Sequence, residues 1–220
     1  MKSHFWHERW QQNQIGFHQD EINPYLKSFW ANPGLTPGSQ IFVPLCGKSL
    51  DMLWLRQQGY QVLGIEISPT AVAAFFEENG IKPEVEDIHP FQRWSGDDIE
   101  ILCGDFFALT ARELEAVGAV YDRASLIALP PAMRRQYAEH LYQILPSPVE
   151  ILLVTLEYPQ QQMDGPPFSV SQDELNELYH DQYAISLLAS SDIIGQEPHF
   201  KSKGLSHLME NVYRLSACKV

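Results

Sequence analysis

Short apolar runs alternate with helix-like stretches from residue 41 onward, and this alternation limits the possible folds more than any other feature of the sequence. Bounded apolar runs predict buried strands, whereas longer stretches with helical periodicity predict the helices that connect them. Strands are predicted at residues 41–45, 62–65, 99–103, 119–122, 151–156, 183–189 and 208–216. Helices are predicted at residues 50–58, 69–79, 112–117, 132–144 and 171–179.

Capping signals support two of these helices. Ser68 precedes the second helix and Gly80 follows it, as expected for an N-cap and for a glycine that ends a helix. Ser171 and Glu174 form the Ser-x-x-Glu signature of a capping box at the start of the last helix.

The order of the predicted elements indicates the fold class. Strands that alternate with helices are joined by right-handed crossovers, which gives a mostly parallel sheet with helices on both faces. No helix is predicted between the last two strands, so we expect them to form an antiparallel hairpin that closes the sheet. The sequence therefore predicts an α/β fold with a doubly wound, mostly parallel, seven-stranded sheet.

An aromatic-rich leader precedes this region. A double turn signal, Asn32-Pro33-Gly34 followed by Pro37-Gly38, separates residues 1–31 from the rest of the chain. The length of 220 residues suits a single domain over residues 1–220. Within it we expect a helical leader at residues 1–31 and a Rossmann-like core at residues 40–220.

The charge balance excludes some classes of partner. The chain carries 15 Lys and Arg residues against 28 Asp and Glu residues, a net charge of −13. Nucleic acids and anionic membranes attract basic patches, so neither is expected as a partner. The three cysteines form no C-x-x-C pattern, so we predict neither a disulfide framework nor a metal site. Without a signal-peptide pattern, a cytoplasmic location is expected. A chain of this size is expected to be a monomer.

A ligand-binding turn is expected after the first strand, because ligands of doubly wound sheets bind outside the carboxyl ends of the strands. That turn is residues 44–49, Pro-Leu-Cys-Gly-Lys-Ser. It lacks the G-x-G-x-x-G pattern of dinucleotide sites and the upstream glycine of a phosphate-binding loop. Its single glycine, Gly47, permits one close backbone approach, which suits a ligand that has no pyrophosphate.

Charged residues follow the next three predicted strands. Glu66 ends the second strand about 20 residues after Gly47, where a carboxylate holds a ribose diol in nucleoside-binding α/β domains. Gly104-Asp105 follows the third strand, where a carboxylate can accept a hydrogen bond from an adenine amino group. Arg123 follows the fourth strand and either points into the cleft or forms a surface ion pair. Glu66 and Asp105 also have simpler interpretations, as a solvated carboxylate and as a turn residue.

One glycine with two carboxylates fits S-adenosylmethionine better than a dinucleotide. That ligand offers a ribose diol, an adenine and a zwitterionic methionine tail, and it has no phosphate that would require a glycine-rich loop. A nicotinamide-dependent dehydrogenase is disfavoured because the glycine pattern of its cofactor site is missing.

At these motifs the chain resembles the thiopurine S-methyltransferase family, particularly its bacterial members. The resemblance covers essentially the whole chain, and the Pro-Leu-Cys-Gly-Lys loop together with the Trp10 segment is its most specific part. The matching segments are residues 5–10 (Phe-Trp-His-Glu-Arg-Trp), 16–19 (Gly-Phe-His-Gln), 42–49 (Phe-Val-Pro-Leu-Cys-Gly-Lys-Ser), 62–68 (Val-Leu-Gly-Ile-Glu-Ile-Ser), 121–124 (Tyr-Asp-Arg-Ala) and 152–158 (Leu-Leu-Val-Thr-Leu-Glu-Tyr).

The resemblance implies a sheet of the S-adenosylmethionine-dependent methyltransferase type, with S-adenosyl-L-methionine as the cofactor. It implies that the Gly104-Asp105 turn lies near the adenine and that the leader contributes to the cofactor site. The cofactor-binding residues that it implies are Trp10, Leu45, Glu66, Gly104, Asp105 and Arg123.

The same resemblance implies where the methyl acceptor binds. Phe17 lies on the substrate side of the leader, and Arg123 lies near the acceptor as well, where it can stabilise a thiolate. A general base is dispensable if the acceptor thiol is acidic. The family region that matches residues 199–204 can hold an arginine near the thiopurine, and this chain has no arginine there.

The implied activity is S-adenosylmethionine-dependent methyl transfer to the sulfur of thiopurines and other small aromatic thiols. Two alternatives stay open: detoxifying methylation of selenium or tellurium oxyanions, and a non-catalytic sensor that binds S-adenosylmethionine. The leader also has two interpretations, since its aromatic rings either pack on the core or form a lid with Trp10 near the cofactor and Phe17 at the acceptor pocket.

Overall fold

The computed structural model describes residues 3–16, 18–30, 34–146 and 149–218. The chain falls into two compact units: Met1–Tyr121 with Ile144–Pro146, and Asp122–Gln143 with Ser147–Val220. In the described ranges, no helix combines the length and the apolar character that crossing a membrane requires. A single domain over residues 1–220 stays a prediction.

The first unit is built on a sheet whose central strands are parallel. Across the sheet their order is β3-β4-β5-β2-β1-β6. The parallel pairs are β1 with β2, β1 with β6 and β2 with β5, whereas β3 and β4 are joined antiparallel at one side. The bounds are β1 (Gln40–Val43), β2 (Gln61–Glu66), β3 (Glu84–Ile88), β4 (Phe91–Gly96), β5 (Ile99–Cys103) and β6 (Val117–Arg123), whose last two residues belong to the second unit.

The first unit has four helices in its described part: α1 (Ser3–Gln11), α2 (Pro24–Phe29), α3 (Asp51–Gln57) and α4 (Pro69–Glu78). The sequence explains α4 most directly. The Ser68 side chain accepts a backbone N–H at 3.4 Å and Pro69 occupies the first helical position, so the N-terminus is capped. Val72, Phe75 and Phe76 are buried, and their packing supplies most of the stability of the helix.

The described residues of the second unit form three α-helices and three antiparallel strands. β9 lies between β7 and β8 and pairs antiparallel with both, so the predicted hairpin of the last two strands is confirmed. A short helix, α7, lies between β8 and β9, so the expectation that no helix lies there is wrong. The bounds are α5 (Pro131–Ile144, its last residue assigned to the first unit), β7 (Glu150–Glu157), α6 (Gln172–Tyr179), β8 (Tyr183–Asp192), α7 (Pro198–Ser202) and β9 (Met209–Ala217).

The predicted α/β class is confirmed, but the predicted number of seven strands is wrong. Each of the seven predicted strands is present within three residues of its expected bounds, and with β3 and β4 the described residues form nine strands. The side chains of β3 are exposed except for the half-buried Ile88, so this strand lacks the apolar run that reveals a buried strand. The helix predicted at 112–117 is also wrong, since turns occupy residues 111–116.

An ion pair between the buried Arg134 and the partly exposed Glu174 joins α5 to α6 in the second unit. Arg134 is 1% exposed, and its Nη1 donates to both carboxylate oxygens of Glu174 at 2.6 and 2.5 Å. Its Nε donates to the carbonyl oxygen of Leu129 at 2.8 Å. The predicted capping box is therefore only half formed: Ser171 accepts from the Glu174 backbone N–H at 3.2 Å, while the Glu174 carboxylate is engaged by Arg134.

Glu174→Gln is expected to lower the free energy of unfolding by about 2–3 kcal/mol, because it leaves the buried Arg134 guanidinium without its carboxylate. Chemical denaturation measures the difference. The matched control is Glu177→Gln, an exposed glutamate of the same helix, which is expected to cost less than about 0.5 kcal/mol. Equal costs for the two variants would contradict a stabilising role for the Arg134–Glu174 pair.

Candidate active site

The strand order of the first unit reverses at β1. The chain passes from β1 to β2 on one side and later returns to β6 on the other side of β1. Ligands of doubly wound sheets bind beyond the carboxyl end of the strand at this switch point. The turn that follows β1 is residues 44–49, which the sequence singles out as the ligand-binding turn, and we call it the cofactor loop.

The cofactor loop is held in an unusual backbone conformation. Leu45 has a φ of +43° and Gly47 has a φ of +54°, both in the left-handed region. For a leucine this conformation costs of order 1–3 kcal/mol, and such strain persists only where the surroundings enforce it. Two backbone hydrogen bonds do so, from Cys46 N to Ile65 O at 3.0 Å and from Ser49 N to Cys46 O at 3.1 Å.

Glu66 connects this loop to the end of β2. Its Oε2 accepts the backbone N–H of Gly47 at 2.9 Å, and its Oε1 accepts the backbone N–H of Ser68 at 2.8 Å. The side chain is buried, with the residue 5% exposed. Burial raises the pKa of the Glu66 carboxyl to about 7, although the backbone N–H groups of Ser68, Gly47 and Ile67 act in the opposite direction.

Trp10 lies against the cofactor loop. A Cβ at Gly47 would lie 3.1 Å from Trp10 Cζ2, so the glycine leaves the space that the indole ring occupies. The Trp10 side chain is buried in this contact. Lys48 extends the other way, and its Nζ donates to both carboxylate oxygens of Glu78 on α4 at 2.7 Å.

The Gly104-Asp105 turn lies beside Glu66. The backbone N–H of Gly104 donates to the carbonyl oxygen of Glu66 at 2.9 Å. A Cβ at Gly104 would lie 2.5 Å from Phe91 Cδ1, so the ring of Phe91 excludes any larger residue there. Asp105 is exposed, and its Oδ1 accepts the backbone N–H of Phe107 at 3.0 Å, which caps a short 3-10 turn.

Arg123 belongs to the second unit. It is the half-buried last residue of β6, and the next residue, Ala124, has a φ of +67°. Burial raises the pKa of Glu210 on β9, and the charge of Arg123 opposes that shift, so the two side chains interact electrostatically. Phe17, predicted at the acceptor, lies outside the described residues.

Two thiols lie near Glu66 and neither is activated. Burial raises the pKa of Cys46 well above its usual value, and the charge of Glu66 raises it further. Burial likewise raises the pKa of Cys103 to about 11. Both thiols are protonated at neutral pH, which is unfavourable for a cysteine nucleophile. Within the described part of the chain, no three His, Cys, Asp or Glu side chains are grouped so as to hold a metal ion.

The structure thus groups most of the predicted cofactor residues within the first unit: Trp10 against Gly47, Gly47 on Glu66, and Gly104 on Glu66. The importance of Gly64 was not predicted from the sequence. A Cβ at Gly64 would lie 2.8 Å from Cys46 Sγ. The absence of a side chain at Gly64 therefore allows the cofactor loop to pack closely against β2. A lone glycine inside a strand is the signal that predicts such a close approach.

Comparison with known proteins agrees with the motifs. The model of the family described as Thiopurine S-methyltransferase matches residues 1–218. The chain belongs to the thiopurine S-methyltransferase family. The resemblance seen in the motifs is thereby confirmed, and membership makes the chain a methyltransferase.

Relatives match this thiopurine S-methyltransferase family member over almost their whole length. A thiopurine S-methyltransferase of Nitrosospira multiformis is 52% identical over 215 residues, which covers 98% of each chain. One of Pseudomonas fluorescens is 47% identical over 215 residues, covering 98% of this chain and 99% of its own. Identity at this level over full length supports the same overall fold and the same reaction type.

Solved structures are similar at the level of the fold. A SAM-dependent methyltransferase from Anabaena variabilis superposes with a TM-score of 0.65 at 12% identity, covering 98% of this chain and 95% of its own. A 1,6-didemethyltoxoflavin-N1-methyltransferase of Burkholderia thailandensis, solved with S-adenosylhomocysteine, has a TM-score of 0.60 at 15% identity and covers 97% and 87%. The predicted methyltransferase type of fold is confirmed.

Gly64→Ala is expected to lower the free energy of unfolding of the protein by about 1–3 kcal/mol, because the new methyl group overlaps Cys46 Sγ. In the double variant Gly64→Ala/Cys46→Ala most of the stability should return, since the sulfur is gone. Thermal and chemical denaturation test both. Gly195→Ala, where a Cβ meets nothing within 4 Å, is the matched control. A double variant no more stable than Gly64→Ala alone would contradict this contact.

Glu66 is expected to make unfolding depend on pH. Its folded pKa of about 7 lies above its ordinary value of 4.5, so the folded state binds the proton more tightly than the unfolded state. This group therefore stabilises the fold least at high pH, and its contribution to the unfolding free energy falls as pH rises from 4.5 to 7.

Urea denaturation at pH 5 and pH 7.5 measures this slope. In Glu66→Gln the fall between the two pH values should be smaller than in the wild type, while Glu77→Gln, an exposed glutamate of α4, should behave like the wild type. An unchanged slope in Glu66→Gln would show that the Glu66 carboxyl does not titrate in this window.

Proposed function

We propose that the chain methylates the sulfur of thiopurines and other small aromatic thiols, with S-adenosyl-L-methionine as the methyl donor. Full-length relatives named thiopurine S-methyltransferase support the acceptor class. The observation that carries the cofactor assignment is the buried Glu66 carboxylate on Gly47, at the carboxyl end of β2 beside the switch point. This is where an α/β domain holds a ribose diol.

The residues of the first unit fit this cofactor. Oε2 of Glu66 accepts the backbone N–H of Gly47 and Oε1 that of Ser68. A carboxylate has about four lone-pair sites, so the side chain can also accept ribose hydroxyls. Asp105 uses Oδ1 for the Phe107 N–H and has Oδ2 to accept from the adenine amino group. Trp10 and Leu45 would contact the cofactor from the leader and from the loop. The chemistry that the cofactor supplies when bound is an electrophilic methyl group.

Most of the chain's contribution to the reaction is orientation and exclusion of water. An acceptor thiolate and a sulfonium carry opposite charges that neutralise each other as methyl transfer proceeds, so a covered, apolar site favours the step. Trp10 would exclude water at the loop, and Phe17 would do so on the acceptor side. Arg123 would hold the acceptor sulfur as a thiolate, with the proton lost to solvent.

The setting of the activity is part of the same proposal. The acidic charge of −13 supports a small-molecule acceptor rather than a nucleic acid or a membrane. We assign the enzyme to the cytoplasm, as a monomer whose residues 1–31 form the lid of one methyltransferase domain. Retention of full cofactor affinity after removal of residues 1–30 would contradict the lid.

The decisive experiment is methyl transfer from labelled S-adenosylmethionine to 6-mercaptopurine. Product is expected with the wild type. Glu66→Ala should weaken cofactor binding at least about 100-fold, because two hydrogen bonds to a charged acceptor are lost. Arg123→Ala should lower kcat/KM for the acceptor by about 10–100-fold while leaving the cofactor Kd less affected, because it acts mainly on the thiolate.

Parallel assays with selenite and tellurite test the alternative acceptors. The control for both variants is Glu77→Gln, which changes an exposed carboxylate and should retain wild-type turnover. Binding of S-adenosylmethionine without turnover of any acceptor would favour a sensor. Failure to bind S-adenosylmethionine at all would overturn the proposed function.

A further inference from the structure

A second buried carboxylate, Asp51, lies next to the cofactor loop and is not one of the residues proposed to bind the cofactor. It is the first residue of α3 and is 1% exposed. Its Oδ1 accepts the backbone N–H of Asn23 at 2.8 Å, and its Oδ2 accepts the hydroxyl of Tyr121 at 3.1 Å. One side chain therefore joins α3, the leader and β6 within the first unit.

On the leader side of this contact, Asn23 is held by hydrogen bonds of its own. Asn23 is 1% exposed, and its Oδ1 accepts the Tyr25 backbone N–H at 2.9 Å, which caps α2. Its Nδ2 donates to Gln19 Oε1 at 3.2 Å. The backbone N–H that Asp51 receives thus comes from a fixed point of the leader, between its two helices.

On the other side, hydrogen bonds connect Asp51 to the cofactor loop. The Asp51 backbone N–H donates to Ser49 Oγ at 3.3 Å, and the Ser49 N–H donates to Cys46 O at 3.1 Å. Asp51 is therefore connected through the last residue of the cofactor loop to its centre. At the other end of the leader, the Trp10 ring lies against Gly47. The leader consequently meets the loop at two places, one through an indole ring and one through a buried carboxylate.

We propose that Asp51 is a positioning residue that fixes the leader on the cofactor loop and thereby sets the affinity for S-adenosylmethionine through Trp10. In this role the carboxylate acts through the leader and not by contacting the cofactor. This inference rests on the proposed function, because the cofactor must bind at the loop for Trp10 to matter. A charged acceptor suits the task, since hydrogen bonds to a carboxylate are stronger than those between neutral groups.

The contact itself is tested by amide hydrogen exchange on the protein without cofactor. In Asp51→Ala, the amide of Asn23 and its neighbours in the leader should exchange at least about tenfold faster than in the wild type, because the acceptor is gone. Asp51→Asn, which keeps one acceptor oxygen, should recover part of this protection. Tyr121→Phe removes only the β6 contact and should leave the Asn23 amide protected.

A control of comparable instability separates positioning from general loosening. Ile99→Ala deletes a buried side chain at the start of β5 and leaves the hydrogen bonds of Asp51 to Asn23 and Tyr121 in place. It should speed exchange in the sheet without selective loss of protection at Asn23. Selective loss in Asp51→Ala and not in Ile99→Ala supports the proposal. The same exchange pattern in both variants would overturn it.

Calorimetry with S-adenosylmethionine tests the consequence for binding. Asp51→Ala should weaken binding about tenfold, with Asp51→Asn between it and the wild type. If Asp51 acts through Trp10, the two effects are not additive, so Asp51→Ala in a Trp10→Ala background should weaken binding little further. Additive effects of the two substitutions, or an unchanged Kd in Asp51→Ala, would overturn the proposal.

The outcomes distinguish this inference from the function on which it rests. A wild-type protein that does not bind S-adenosylmethionine overturns the proposed function and the effect on affinity, whereas the exchange measurement still decides whether Asp51 holds the leader. A wild-type protein that binds and methylates, with no selective exchange change in Asp51→Ala, overturns only the positioning role.

Discussion

The Glu66 carboxylate receives the backbone N–H of Gly47 on one oxygen and that of Ser68 on the other, and the site of the first unit depends on this pair of hydrogen bonds. It joins the end of β2 to the loop after β1 and to the cap of α4. Because the carboxylate is buried, the two backbone groups also offset its desolvation. The group that would bind a ribose therefore also holds the backbone around it.

Close packing surrounds this carboxylate. The Cys46 side chain occupies the space that a side chain at Gly64 would fill, and the Phe91 ring occupies the corresponding space at Gly104. Trp10 does the same at Gly47. Each glycine lies where one segment must approach another closely, and substitution at any of them would move a neighbour of the cofactor loop. The affinity of the site consequently depends on packing as well as on its polar groups.

Local patterns predicted the parallel strands and the caps at Ser68 and Ser171, because these depend on residues close in the chain. The pattern failed for β3, since an exposed strand pairs through its backbone and needs no apolar run. Spacing also predicted Glu66 at the end of a strand and a ligand-binding turn at residues 44–49. It could not predict Asp51, whose partner Asn23 is 28 residues away and is brought to it only by the folded leader. Contacts of this kind depend on tertiary structure.

The exposed strand β3 has a consequence for solubility. It lies at one edge of the sheet and carries Glu84, Glu86 and Asp87 among its exposed residues. An unpaired strand edge is a template on which a second copy can add a strand, and clustered like charges oppose that pairing. Glu86 is matched by Arg93 of β4, yet the other two carboxylates keep the edge negative. Replacing these carboxylates by uncharged residues would therefore make self-association at this edge easier.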